Sequence, residues 1–304
     1  MHIYLPIAEM SVAVEAILAL GIAVGFLSGV FGVGGGFLTT PLLIFMGIPA
    51  TVAVGTQASQ MVAAGTSGAL GHWSRGNVDY KMGFVMLGGG VFGSVIGIMI
   101  FRFLQYLGQI DFAVSMLYMV LLGGIGTLML METLGSFFFK KKTFRSEFNS
   151  FRISPWMAAL PYKMRFPHSR LFISALVPAG IGFCGGLLSA ILGIGGGFML
   201  VPAMIYILGM PGLLAAGTSL FQIIFITAFA TLLHAVTNHN VDIMLAVLLI
   251  AGSVLGTKFG VMAGQYIRGI YARVSLALLI IAVSISLAFS LFMKPAELFS
   301  VVLW

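Results

Sequence analysis

The feature that most constrains this chain is a glycine-rich break that occurs twice inside apolar sequence. Gly32-Val33-Gly34-Gly35-Gly36-Phe37-Leu38-Thr39-Thr40-Pro41 is matched by Gly193-Ile194-Gly195-Gly196-Gly197-Phe198-Met199-Leu200-Val201-Pro202. Glycine costs a helix interior about 1 kcal/mol relative to alanine, so three in a row interrupt a helix. The chain is 60% hydrophobic and 8% charged, with a mean hydropathy of +1.12. A soluble domain carries about 25% charged residues. The breaks therefore fall at membrane depth, where freed backbone N–H groups are tolerated only if protein or a wet cavity satisfies them. A helix that restarts there points a partly positive N-terminus at whatever fills the cavity, and that end attracts anions.

The rest of the chain repeats around the breaks. Hydrophobic segments run near 12–31, 37–48, 55–73, 82–103 and 112–131, and the order begins again at 171. Gly47-Ile48-Pro49 matches Gly209-Met210-Pro211, Gly55-Thr56 matches Gly217-Thr218, and Gln60 matches Gln222. His72 matches His234, Asn77-Val78-Asp79 matches Asn240-Val241-Asp242, and Gly93 and Gly97 match Gly256 and Gly260. One or two single-residue insertions align the halves over about 75 residues, the mark of an internal duplication. Segment 37–48 is too short to span: twelve helical residues reach about 18 Å against a hydrocarbon core of about 30 Å. It and its counterpart are expected to be half-helices or re-entrant.

Five segments per half is an odd number, so the halves are expected to be inverted in the membrane. The connection 136–170 holds Lys140, Lys141, Lys142, Arg145, Arg152, Lys163, Arg165 and Arg170 against one acid, Glu147. Such a loop belongs on the cytoplasmic side. Counting outward from it puts the Arg75/Lys81 turn inside, the 235–241 turn (free of Lys and Arg) outside, and the Arg268/Arg273 turn inside. Arg102 and Lys294 run against this pattern. Both termini are then periplasmic. The expected architecture is an all-α polytopic membrane protein with two inverted repeats of about five segments each, 1–135 and 171–304, joined by the basic loop 136–170 into one transmembrane domain. No basic stretch precedes the first segment, whose nearby acids are Glu9 and Glu15, so it reads as a retained helix rather than a cleaved signal. Cys184 is the sole cysteine, which rules out an internal disulfide and a cysteine metal cluster. It reads as a small buried apolar residue.

Inverted repeats with one broken helix each are the pattern of a secondary transporter whose site lies near the midplane. Gly34, Gly35, Gly36 and Gly195, Gly196, Gly197 would supply backbone N–H groups. Thr39 and Thr40, before Pro41, read as a helix start, a polar pair that the second copy lacks. Thr56, Gln57 and Gln60 in one half, and Thr218, Ser219 and Gln222 in the other, are neutral donors and acceptors for an oxyanion. The competing reading is that they only hydrogen-bond between helices. Lys258 is the clear charge deep in a span, and so a functional candidate, as attractor or proton carrier; its other reading is a snorkelling cation. His72 and His234 stand near helix ends, as proton handlers or as structural hydrogen-bonders. No metal-ligand spacing appears and the glycine run lacks the Lys-Ser/Thr of a phosphate loop, so neither metal nor cofactor is expected. No nucleophile or metal cluster lies within the spans, so no enzyme is expected.

These residues resemble the TauE/SafE sulfite exporter family over nearly the whole chain. The repeated Gly-x-Gly-Gly-Gly-Phe and Pro of both copies, Gly55-Thr56, Gly217-Thr218 and Asn77-Val78-Asp79 carry the resemblance. It implies a bacterial inner-membrane permease for sulfite or small organosulfur anions such as sulfoacetate. The partners expected are the small anion and the lipid bilayer, with no nucleic acid; a homo-oligomer is left open. The leading expectation is an anion carrier working by alternating access. An anion channel, a membrane-embedded enzyme and an assembly factor docking through the basic loop are the alternatives.

Overall fold

Two short hairpins that hydropathy does not reveal frame the helices. In the computed structural model, β1 (His2–Leu5) pairs antiparallel with β2 (Met10–Ala13), and β3 (Lys163–Phe166) pairs with β4 (Leu171–Ser174). His2 faces Ala13 as Lys163 faces Ser174, and each turn opens on a proline, Pro6 or Pro167. His2 and Lys163 stand 161 residues apart, as do Gly32 and Gly193. The duplication thus begins at the hairpins, ahead of the first long helix. The structure describes residues 2–31, 36–73, 76–138, 160–169, 171–264 and 269–292. Most of the expected basic loop, 139–159 and Arg170, lies outside them. Its later part is not simple loop: it carries β3 and the first residues of the following turn.

The first hairpin leads into α1 (Val14–Phe31), α2 (Gly36–Phe45), α3 (Ala50–Trp73), α4 (Tyr80–Tyr106) and α5 (Ile110–Phe138). The second leads into α6 (Leu176–Leu192), α7 (Gly197–Tyr206), α8 (Gly212–Leu233), α9 (Ile243–Gly264) and α10 (Gly269–Phe292). A π-helical turn, His234–Asn238, extends α8. The offset between the copies is 161 at Pro41/Pro202, 162 at Gly47/Gly209 and 163 at Asn77/Asn240. One extra residue sits just after α7. The other falls around the π turn, where i→i+5 bonding takes up one more residue per turn.

Stretches of α4, α5, α8, α9 and α10 are long and apolar enough to cross a membrane; α1, α2, α6 and α7 are shorter apolar helices. Large apolar side chains such as Phe92, Phe259 and Phe289 point outward, as a bilayer allows. The hairpins aside, the chain is an all-α polytopic membrane protein. The more polar α3 lies inside, against α2, α8 and α9.

Packing follows the duplication. The counterparts α3 and α8 pack together, as do α5 and α10, while α1 packs on α9 and α4 on α6. The last two pairs exchange under a two-fold relation. Both bring backbones into contact through glycine, as small-residue faces do in membranes. A Cβ on Gly186 would lie 2.0 Å from the Gly90 carbonyl oxygen, and one on Gly256 would lie 2.1 Å from that of Ile22. This packing corrects the reading of Cys184, which is exposed: Gly182, Gly185 and Gly186 take the contact side of α6 and turn residue 184 outward.

Among the described residues, three of the four hydrophobic clusters follow the length of the bundle, and the fourth joins α3 to α8 through Met61, Leu220 and Ile223. At one end Leu5 of the first hairpin packs with Leu43, Ile48 and Leu245; at the other Phe166 of the second packs with Met204, Met210 and Met82. The middle core holds Phe37 and Leu38 of α2 with Ile194 and Phe198 around the second break. Each half-helix therefore starts at mid-bundle and ends beside its own hairpin.

Candidate functional site

The two helix starts meet. The Phe37 and Phe198 rings, one residue into α2 and α7, lie 5.8 Å apart between centroids. Met61 of α3 reaches both breaks: its sulfur would lie 2.6 Å from a Cβ on Gly36 and 3.5 Å from one on Gly195. The Leu192 carbonyl, last in α6, accepts Tyr118 Oη–H at 2.6 Å and Thr40 Oγ1–H at 3.5 Å. Thr40 thus ties the first half-helix to the chain entering the second break.

At that second break Gly193, Gly195 and Gly196 have φ of 72°, 71° and 71°, a left-handed backbone that other residues adopt only with strain. Gly196 is the N-cap of α7 and no side chain caps it, so its first-turn N–H groups lack the usual side-chain acceptor. Gly197 is buried as the first residue of α7. At the first break Gly34 and Gly35 lie outside the described residues, while Gly36 opens α2 and is buried.

Around these starts lie buried polar atoms with no hydrogen-bond partner among the described residues: Thr39 Oγ1, both amide atoms of Gln57, Gln60 Oε1, Gln222 Oε1 and Ser189 Oγ. Gln57 Nε2 would lie 2.7 Å from a Cβ on Gly36, so this amide is aimed at the start of α2. Gln222 Nε2 donates to the Met86 carbonyl at 3.4 Å. Buried polar groups are nearly always paired, so this cluster, which has no partner among the described residues, makes the place a candidate for binding water or a ligand.

The remaining residues singled out from sequence divide. Thr56 and Thr218 are buried, but their hydroxyl oxygens accept the backbone N–H of Asp242 and Asp79, each at 3.0 Å. Ser219 Oγ–H donates to Ala216 in its own turn. Lys258 is exposed on α9 among the exposed side chains Val254, Leu255, Phe259 and Met262. Nearby Phe259 and Gly256 join Ile22 and Phe26 of α1 in an apolar groove of about 490 Å³, which offers an oxyanion nothing. The side chain of His72 lies outside the description.

The sequence of the site has relatives. It matches the sequence model of the family described as Sulfite exporter TauE/SafE over residues 17–287. The chain belongs to that family. Among similar proteins, the probable membrane transporter protein YunE of Bacillus subtilis (strain 168) is 27% identical over 253 residues, covering 80% of this chain and 86% of its own. The probable membrane transporter protein YjnA of the same organism is 28% identical over 245 residues, covering 81% and 88%. A probable membrane transporter protein of Xylella fastidiosa (strain 9a5c) is 27% identical over 240 residues, covering 78% and 79%. No solved structure matches significantly. The TauE/SafE match takes in both breaks, α3 and α8, and begins after the first hairpin.

In this TauE/SafE chain both ring nitrogens of His234 are engaged. It is buried, its Nε2 lies 2.8 Å from the Ala190 carbonyl, and the side-chain amide nitrogens of Asn238 and Asn240 lie 3.1 and 3.4 Å from Nδ1. A carbonyl on one side and amide donors on the other assign the proton to Nε2. Its ring meets Phe101 edge-on at 4.9 Å. Sequence reasoning missed Met61, Phe37, Phe198 and Ser189. Ser189 had a signal, since Ser28 precedes the first break at the same offset. Met61 had none, because its counterpart is Ile223.

Proposed function

We propose that the chain is a secondary carrier moving a small sulfur-containing oxyanion, such as sulfite, sulfoacetate or a similar organosulfonate, by alternating access across a bacterial inner membrane. The anion sits between the start of α2 and the turn before α7. The observation that carries this reading is the meeting of both breaks on Met61 beside the unpaired amide of Gln57. Each helix start contributes free N–H groups and about half a positive charge. A compact oxyanion is held there without a full counter-charge, which leaves it free to depart on either side. The descriptions of the family as sulfite exporters and of the relatives as probable membrane transporters support the same class.

Thr56 lies early in α3 and meets the residues after α8, while Thr218 lies early in α8 and meets the residues after α3. The counterpart helices α3 and α8 therefore run antiparallel, which supports repeats inverted across the bilayer. Charge supports it too. Lys81, Lys163 and Arg165 gather at the end bearing the second hairpin, where Lys81 Nζ donates to the Arg165 carbonyl at 2.9 Å. Glu9 belongs to the turn of the first hairpin and Glu15 follows it into α1. Positive charge favours the cytoplasmic side, which supports an orientation with the second hairpin inside and the first outside.

The test is transport by the purified protein in liposomes. Saturable uptake of labelled sulfite or sulfoacetate, accelerated by unlabelled anion preloaded inside, is expected. Unsaturable current without counterflow, or no movement of any sulfur oxyanion, would overturn the reading.

A further inference from the structure

We propose that the ligand of this site carries a hydrogen-bond donor as well as its anionic oxygens: it is a hydrogen-bearing oxyanion or a hydroxyl- or ammonium-substituted sulfonate. The proposal rests on the anion-site reading above and deepens it. An ion made only of acceptor oxygens pairs only with donors, N–H or O–H. The buried orphans here are weighted the other way. Gln57 leaves both Nε2 and Oε1 unpaired, and Gln60 and Gln222 each leave Oε1 unpaired. That is one amide donor against three amide acceptors, with the Thr39 and Ser189 hydroxyls able to serve as either.

For Gln57 and Gln222 the assignments are robust to reversal of the amide. Gln57 lacks partners at both ends, so turning it changes nothing. Turning Gln222 would set its oxygen against the Met86 carbonyl that its nitrogen now bonds. Gln57 reaches a break directly, with Nε2 2.7 Å from a Cβ on Gly36, and the other two amides stand on the helices that touch the breaks. Gln57, Gln60 and Met61 lie within about one turn of α3, and Met61 touches Gly36. Gln222 adjoins Ile223 on α8, whose methyl would lie 3.0 Å from a Cβ on Gly195. A ligand between the breaks that brings only acceptors satisfies the helix ends and Gln57 Nε2 but leaves carbonyl oxygens buried and unpaired. One that also brings an O–H or N–H pairs both sets. Sites built with buried polar groups reject analogues lacking the matching group far more strongly than apolar pockets reject size changes. Hydrogen sulfite fits this description; the sulfoacetate and sulfate dianions do not, so the proposal selects against them.

The experiment compares ethanesulfonate with 2-hydroxyethanesulfonate, which differ by one hydroxyl, by calorimetry on the full-length purified protein, with sulfite as reference. Tighter binding of the hydroxylated ion by tenfold or more is expected, with the preference collapsing in Gln57→Leu or, should that variant not fold, in Gln57→Met. Equal binding of the two sulfonates would overturn the proposal and leave the anion site standing. Binding of none of the three ions would overturn both. A preference seen in sodium but absent in potassium buffer would assign the carbonyls to a cation, and would also overturn it.

Discussion

Thr56 accepts the backbone N–H of Asp242 on its hydroxyl oxygen at 3.0 Å. Its counterpart Thr218 does the same for Asp79 at 3.0 Å. Each aspartate carboxylate then caps its own helix, α9 through Leu245 N–H at 3.1 Å or α4 through Met82 N–H at 3.1 Å. Each also accepts from a hairpin turn, Ile7 N–H at 3.1 Å or Ser169 N–H at 3.1 Å. These threonines are latches between elements. Thr56→Val or Thr218→Val leaves a buried N–H unpaired, and each should cost about 1–3 kcal/mol. Thermal unfolding in detergent should show a similar drop for both, with Thr→Ser restoring it. A loss of anion affinity at unchanged stability would instead return them to the binding site.

The backbone crossings allow a paired test. Gly186→Ala and Gly256→Ala each put a methyl about 2 Å from a carbonyl oxygen, one in each of the two related helix pairs. Overpacking of this kind costs about 1–3 kcal/mol or more, so both should lower the melting temperature and the yield. Gly180→Ala, on the same α6 helix with nothing within 4 Å of its would-be Cβ, should be neutral or slightly stabilising.

How much of this was legible in the sequence depends on what each feature leaves as a pattern. The breaks and the paired half-helices were readable because glycine triplets and Pro41/Pro202 recur in apolar sequence, where little else explains them. The hairpins were not, since four-residue strands show almost no periodicity; only Pro6 and Pro167 at the shared offset hint at them. Gln57, Gln60 and Gln222 stood out because an amide inside an apolar helix is conspicuous, and all three are buried with an amide atom that has no partner among the described residues. Thr56 and Thr218 were equally conspicuous, yet their partners are backbone groups after a helix of the other repeat, which no local pattern encodes. Lys258 was conspicuous for its depth, but depth does not say which side of a helix faces lipid.

That side can be tested directly. Lys258 is exposed on α9 among exposed apolar side chains, and long cationic side chains in such places extend toward the headgroups. Lys258→Ala should leave anion affinity within about twofold, a change of at most about 0.4 kcal/mol. Calorimetry with sulfite checks this.

His234 bonds at both ring nitrogens within a buried pocket against Ala190, Asn238 and Asn240. Gln can offer one donor and one acceptor at similar reach. His234→Gln should therefore retain transport with the same pH profile, while His234→Ala, which strands the Ala190 carbonyl, should destabilise by about 1–3 kcal/mol. A pH profile flattened by His234→Gln would give the ring a proton-handling role.

Gln57 sets stability against function. Its amide is buried with no partner at either end among the described residues, and an amide buried without a partner costs about 1–3 kcal/mol. Leucine has similar bulk and no polar atoms, so Gln57→Leu removes that penalty. The variant should melt higher than the parent without ligand and lose the upward shift that sulfite produces in the parent. Two-directional behaviour of this kind separates a binding residue from a packing residue, since a structural amide would only lower the melting point when removed. A lowered melting point with the sulfite shift intact would make Gln57 part of the scaffold and move the anion elsewhere.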